Sequence, residues 1–172
     1  MLHLLWTIVA VLAGVVALAN AADPASAQST NTGQLQLETK IPLGDVRGRI
    51  DHMAVDLKRQ RLFVAELGND SVGIVDLSNR KVISRIPGLK EPQGVGYEPT
   101  TDMLYVANAG DGSVRLFEGG DYKATGQIEL GSDVDNIRID AAAILRFRTN
   151  SKCVGVSIGR SPGGTPRRIW TT

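Results

Sequence analysis

The chain has 172 residues, 42% hydrophobic and 22% charged, with a formal net charge of +1. That balance allows a buried core and excludes both a strongly basic nucleic-acid binder and a protein held to a membrane by surface charge. A single cysteine excludes an intramolecular disulfide framework and a Cys-x-x-Cys metal site.

Residues 1–27 read as a targeting segment. An almost unbroken apolar run from Leu4 to Ala19 leads into two small-x-small patterns, Ala19-Asn20-Ala21 and Ala25-Ser26-Ala27. Cleavage is expected after Ala27, with Ala21 as the second site. An uncleaved anchor is the rival reading, but the run is only about the minimum spanning length of ~17 residues. The expected location is therefore periplasmic or secreted, with membrane contact only through this segment. An oxidising compartment agrees with the near absence of cysteine. Residues 28–34 form a polar linker. Residues 35–43 resemble a lone outer strand, since Lys40-Ile41-Pro42 echoes Arg85-Ile86-Pro87.

From Ile50 to Leu130 one pattern is written twice. Leu62-Phe63-Val64-Ala65-Glu66-Leu67-Gly68-Asn69-Asp70-Ser71-Val72 returns 42 residues later as Leu104-Tyr105-Val106-Ala107-Asn108-Ala109-Gly110-Asp111-Gly112-Ser113-Val114. Each copy breaks into four short apolar runs. In the first copy they are residues 53–56, 61–65, 71–76 and 81–86, the first two separated by the polar turn Lys58-Arg59-Gln60 and the others bounded by Gly, Asn, Asp, Ser or Pro. Such runs are strands, and links this short make neighbours antiparallel. A period of about 40 residues built from four strands is a propeller blade. The fold class expected is all-β: a partial β-propeller of about two and a half four-stranded antiparallel blades. Blade one takes residues 50–91, blade two 92–133, and a third begins over 134–143, where Ile137, Ile139 and Asp140 keep the spacing.

The next run of the third copy should fall on Arg146-Phe147-Arg148-Thr149-Asn150, which does not match Leu104-Tyr105-Val106-Ala107-Asn108. Residues 144–172 carry Arg146, Arg148, Lys152, Arg160, Arg167 and Arg168 and no acid. They read as an irregular basic tail, either disordered or translated out of frame. Propeller blades are held by stacking, so end blades should leave apolar surface bare, and self-association through open blade faces is expected.

Ile50-Asp51-His52-Met53-Ala54-Val55-Asp56, Pro92-Gln93-Gly94-Val95-Gly96-Tyr97-Glu98-Pro99 and Tyr105-Val106-Ala107-Asn108 resemble the YVTN-type β-propeller repeat of YncE-like exported bacterial proteins. Leu62-Phe63-Val64-Ala65-Glu66 departs from it, with Glu66 where Asn is usual. The resemblance covers residues 35–143. It implies an exported seven-bladed ring with a binding face and no fixed set of catalytic residues. At this period seven blades need about 300 residues, so the chain looks truncated against that pattern.

In a propeller the loops leading into first strands and those joining second to third strands share one face. That places Arg47, Arg49, Asp51, His52, Glu66, Asn69 and Asp70 there from copy one, Gln93, Asn108 and Asp111 from copy two, and Asp135 and Asn136 from copy three. The candidate ligand-binding set is Asp51, His52, Glu66, Gln93, Asn108, Asp135 and Asn136. Clustered carboxylate and amide oxygens could take a polar ligand or a hard cation. Asn69, Asp70, Asp111 and Asn136 are better explained as turn formers. Asp51 and His52 could act in acid–base chemistry, but adjacent strand residues point to opposite faces, so pairing them needs a bend in the chain. No nucleotide, haem or hydrolase motif occurs, and no catalytic residue, metal or cofactor is expected. The expected function is a binding or scaffold module for a small molecule or protein. The alternatives are a fragment of a lactonase-like or redox-linked propeller enzyme, or a non-functional truncated product.

Overall fold

The computed structural model describes residues 35–131, 133–140, 144–149, 153–157 and 168–171. The expected targeting segment and linker lie outside the described residues.

The first copy forms β1 (Ile50–Asp56), β2 (Arg61–Glu66), β3 (Ser71–Asp76) and β4 (Lys81–Ile86). The second forms β5 (Pro92–Glu98), β6 (Met103–Asn108), β7 (Ser113–Glu118) and β8 (Ala124–Glu129). Each set is an antiparallel meander in chain order. The backbone repeats as faithfully as the sequence. Left-handed residues stand at Gln60, Asp70, Arg80 and Glu91, and again 42 residues on at Asp102, Gly112, Tyr122 and Asp133. Only one of these eight is glycine. The turns are therefore imposed by the pairing of the flanking strands, against a cost of roughly 1–2 kcal/mol for each side chain held at positive φ.

Alternation within the strands sorts side chains onto two faces. Phe63, Ala65, Val72, Ile74, Ile86 and Leu89 of blade one pack on Val95, Leu104, Val106 and Phe117 of blade two. The opposite face of blade two carries Tyr105, Ala107, Val114, Leu116 and Ile128, which pack on Val134 and Phe147. Each fully buried aliphatic or aromatic side chain in these layers contributes roughly 1.5–3 kcal/mol. The sheets meet mainly through their first strands, β1 on β5 and β5 on a short third-copy strand, β9 (Ile137–Ile139). Gly94 and Gly96 allow that second approach. A methyl group on Gly94 would overlap the Asp135 carbonyl, and one on Gly96 would sit 2.7 Å from Ile137 Cγ2.

Beyond Ile139 the structure differs from the expected irregular tail. β10 (Ile144–Arg148), β11 (Cys153–Ser157) and β12 (Arg168–Thr171) continue from β9 as a third four-stranded antiparallel sheet. The fixed 42-residue spacing hides this sheet because it is one residue short. In blade two Val95 faces Val106, so the spacing calls for Ile137 to face Arg148; instead Ile137 faces Phe147. A one-residue slip exchanges the two faces of a strand. Phe147 thereby takes the role of Val106 and is buried against blade two, while Arg146 and Arg148 take the outward places of Tyr105 and Ala107. Apolar residues point inward and arginines outward, the pattern of a capping repeat. The lone strand expected over residues 35–43 is also corrected: this stretch is not in a strand. A strand is held by its ladder, and among the described residues none pairs with it.

Candidate functional site

The leading ends of β1, β5 and β9 lie side by side where the three sheets meet. β1 shifts register against β2 between Ile50 and Met53, and β5 against β6 between Pro92 and Gly94. An irregularity of this kind re-aims side chains out of strict alternation. In β1 it brings together the two residues that a regular strand would separate, with Asp51 Oδ1 3.0 Å from His52 Nδ1. Arg49 Nη2 donates to Asp51 Oδ2 at 2.9 Å. His52 Nδ1 also lies 3.2 Å from the Gln93 carbonyl oxygen of blade two. Two oxygen acceptors beside Nδ1 make that nitrogen a donor, and Nε2 is the ring nitrogen left for another partner. The His52 side chain is 38% exposed, so that nitrogen belongs to a solvent-facing group.

Asp51, Gln93 and Asp135 hold one repeat position, and His52, Gly94 and Asn136 hold the next. The third pair is fixed by its backbone. Asp135 N donates to the Arg148 carbonyl at 2.8 Å, and Arg148 N donates to the Asn136 carbonyl at 3.1 Å. By repeat position Asp51, His52, Gln93, Asp135 and Asn136 line up in one row across three sheets, and the contacts made within it are those of the His52 ring with Asp51 and with the Gln93 carbonyl.

Glu66 and Asn108 do not join this row; both are 0% exposed. Glu66 lies over Gly73, accepts from Ser71 Oγ at 2.7 Å and pairs with Arg85 Nε at 3.0 Å. Arg85 in turn donates to the Leu43 carbonyl, tying the incoming chain to β4. Asn108 donates to Ser113 Oγ at 3.1 Å and accepts from Lys90 N at 3.3 Å. Both residues are struts inside their blades. Asn69, Asp70 and Asp111 are turn residues: Asn69 Oδ1 accepts from Arg47 N, Asp70 Oδ1 from Glu91 N, and Asp111 Oδ1 from Ser113 N.

The opposite ends of β1 and β5 hold a group that the sequence did not single out. Arg59 donates to Asp56 Oδ2 at 2.8 Å, to Tyr97 Oη at 3.1 Å, and to both carboxylate oxygens of Asp102 at 2.8 and 2.5 Å. Tyr97 Oη itself donates to Asp102 Oδ1 at 2.8 Å. The Arg59 guanidinium, then the Tyr97 hydroxyl, hold the Asp102 carboxyl below its ordinary range despite partial burial. Burial pushes Asp56 up, but the bonds from Arg59 and Lys58 outweigh it and its pKa is lowered. Burial first, then the Asp102 carboxylate, raises the Tyr97 hydroxyl to about 12. This is an inter-blade clamp. Its signal in the sequence is a break in the repeat: Arg59 and Asp102 are aligned with Thr101 and Gln60.

A hollow of about 630 Å³ lies away from both groups, between Pro42, Leu43 and Gly44 and the outer strand β4. It carries no acid, imidazole or thiol. Among the described residues no three His, Cys, Asp or Glu side chains are grouped as a metal ion requires.

No protein-family description matches the chain, and no curated protein does. Solved propellers do. The chain is similar to Kuenenia stuttgartiensis hydrazine synthase at 20% identity and a TM-score of 0.63, over 81% of this chain and 40% of that one. It is similar to the β-propeller domain of Myceliophteria thermophila Cps50 (Swd1) at 14% identity and a TM-score of 0.58, over 73% of this chain and 39% of that one. It is similar to the WD40 repeats of RRP9 at 12% identity and a TM-score of 0.57, over 69% of this chain and 35% of that one. At these identities the likeness is one of fold. The protein is a partial β-propeller, and it spans two-fifths or less of the length of the propeller chains it matches.

Proposed function

We propose that this chain is an exported propeller module of the YncE-like kind that binds a polar small molecule or protein segment across the leading ends of β1, β5 and β9. One observation carries this reading: Asp51 Oδ1 and the Gln93 carbonyl oxygen flank the His52 ring from two different blades. A ring held between two blades is preorganised, so a ligand laid against it need not order the chain first. Export rests on the apolar leader and its small-residue cleavage patterns. The same module self-associates through an unpaired blade face.

His52 is the only imidazole apart from His3 in the leader, so its resonances report on the row alone. Titration of the exported protein with a panel of amino acids, dipeptides, sugars and calcium should move the His52 signals saturably for at least one class. Asp51→Ala should abolish that shift. Signals that stay fixed across the panel, or an equal response in the variant, would contradict the reading. Export is checked by the amino terminus of the secreted chain, expected at Gln28.

The Asp51–His52 contact favours one second reading, a hydrolase in which a carboxylate-oriented imidazole accepts a proton from water. Lactone hydrolysis abolished in His52→Ala and Asp51→Asn, in a protein of unchanged fold, would favour it over a pure binding role.

A further inference from the structure

The outer side of blade one departs from the repeat at several positions together. Glu66, Gly73 and Arg85 stand where blade two has Asn108, Arg115 and Gln127, and Val82 and Ile83 stand where it has Ala124 and Thr125. The first three act as one unit. Arg85 Nε donates to Glu66 Oε2 at 3.0 Å, and a methyl group on Gly73 would sit 2.5 Å from Glu66 Oε1. Blade two fills the same interior place with the neutral pair Asn108 and Ser113. A buried ion pair adds little net stability over an uncharged replacement, so the fold alone does not call for Arg85.

What the exchange supplies is a fixed guanidinium at the wall of the hollow between β4 and residues 42–44. Arg85 Nε is held by Glu66 and Nη2 by the Leu43 carbonyl. Its Nη1 is the amino group left without a bond among the described residues. Lys81 lines the same hollow, is exposed, and pairs with no acid among the described residues. Arg80, also there, already has a partner. Pro42, Leu43, Val82 and Ile83 add apolar wall, and Ile83 is 40% exposed. Cations, apolar surface and no acid complement an anion with an apolar body.

A further strand is the wrong occupant. Ile74 faces Ser84 and Val75 faces Val82, so Ile83 is an extra residue in β4. A bulge of this kind on an edge works against pairing by another strand. A compact ligand remains, and about 630 Å³ falls in the range of small-molecule sites. We propose that this hollow is a second binding site, apart from His52, for a carboxylate with an aliphatic body. Lys81 and Arg85 draw the carboxylate, and Leu43, Val82 and Ile83 take the aliphatic chain.

Calorimetry and amide-shift mapping on the exported chain, with octanoate below its micelle concentration, test this. Octanoate should bind saturably and move the amides of residues 43–44 and 81–85 while leaving His52 unmoved. Acetate, octanol and octylammonium carry the head alone, the chain with a neutral head, and the opposite charge. Each should bind at least about fivefold more weakly. Lys81→Glu should weaken octanoate about fivefold, whereas Lys123→Glu, the same position in blade two, should not. The double variant Glu66→Asn, Arg85→Gln installs the residues of blade two without stranding a buried charge. With an unchanged circular dichroism spectrum it should lose at least as much affinity. Octanoate that fails to saturate, shifts that fall elsewhere, octanol or octylammonium that binds as well, or full affinity in Lys81→Glu would overturn the site. The His52 reading is unaffected by any of these, because its residues are not altered.

Discussion

Replacing Arg59 by alanine should loosen the seam between blades one and two. The guanidinium bonds Asp56, Tyr97 and both oxygens of Asp102. Hydrogen bonds to charged groups contribute roughly 1.5–3 kcal/mol each, and a simple sum would overshoot. Arg59 is one-third exposed and Asp102 is 42% exposed, so that pair is screened by solvent and adds no more than about 1 kcal/mol. Asp56 is buried, yet it keeps the backbone N–H groups of Lys58 and Arg59 and is not left unpaired. The net loss expected is about 2 kcal/mol, or about 6 °C in midpoint for a chain of this size. The assay is thermal and urea unfolding followed by circular dichroism, run as a double-mutant cycle with Asp102→Ala. The account requires a coupling of about 1 kcal/mol between the two positions. A change below about 0.5 kcal/mol for Arg59→Ala, or strict additivity with Asp102→Ala, would refute the clamp.

Asp56, Asp102 and Glu98 all titrate below their ordinary values of 3.8, 3.8 and 4.5 in the folded chain. Carboxyls with depressed folded values stabilise the fold above their unfolded pKa, and that stability drains away as pH falls below it. Unfolding midpoints should thus be level near neutrality and drop below about pH 4, with a shallower drop in Arg59→Ala; an unchanged acid slope would contradict the assignment. Gly94→Ala should cost roughly 1–3 kcal/mol by forcing β9 off β5, and amide exchange in β9 should rise while β2 and β3 stay protected. Glu66→Ala should cost about 2 kcal/mol, moderated because Arg85 is 37% exposed and can rehydrate. Exchange in β4 is the readout, and protection equal to wild type there would show that Glu66 is not a strut.

The blades were legible in the sequence because a hairpin meander leaves both strand pattern and turn pattern on the surface of the text. Phe63 and Tyr105, or Asp70 and Gly112, mark the same places 42 residues apart. The third sheet was not legible, because one missing residue before β10 moves Phe147 out of the expected column and puts arginines where aromatic and small residues stood. The polar row was half legible. Loop-face reasoning put Asp51, His52 and Gln93 at one end of their strands, but the contact between Asp51 and His52 depends on a register shift that alternation cannot foresee. It also included Glu66 and Asn108, whose burial follows from Gly73 and Arg85 on one side and from Ser113 and Lys90 on the other. Those partners lie across the sheet or in the next loop, beyond the reach of a reading along one strand. The Arg59 clamp arises where the copies differ, so a search for repetition passes over it.

The account turns on three repeat-related sheets, the last in a register slipped by one residue. The most direct test is the set of cross-strand nuclear Overhauser effects between β9 and β10. The slipped register predicts a contact between Ile137 and Phe147 and between Arg138 and Arg146. Contacts between Ile137 and Arg148 instead, or none between residues 137–139 and 144–148, would contradict it.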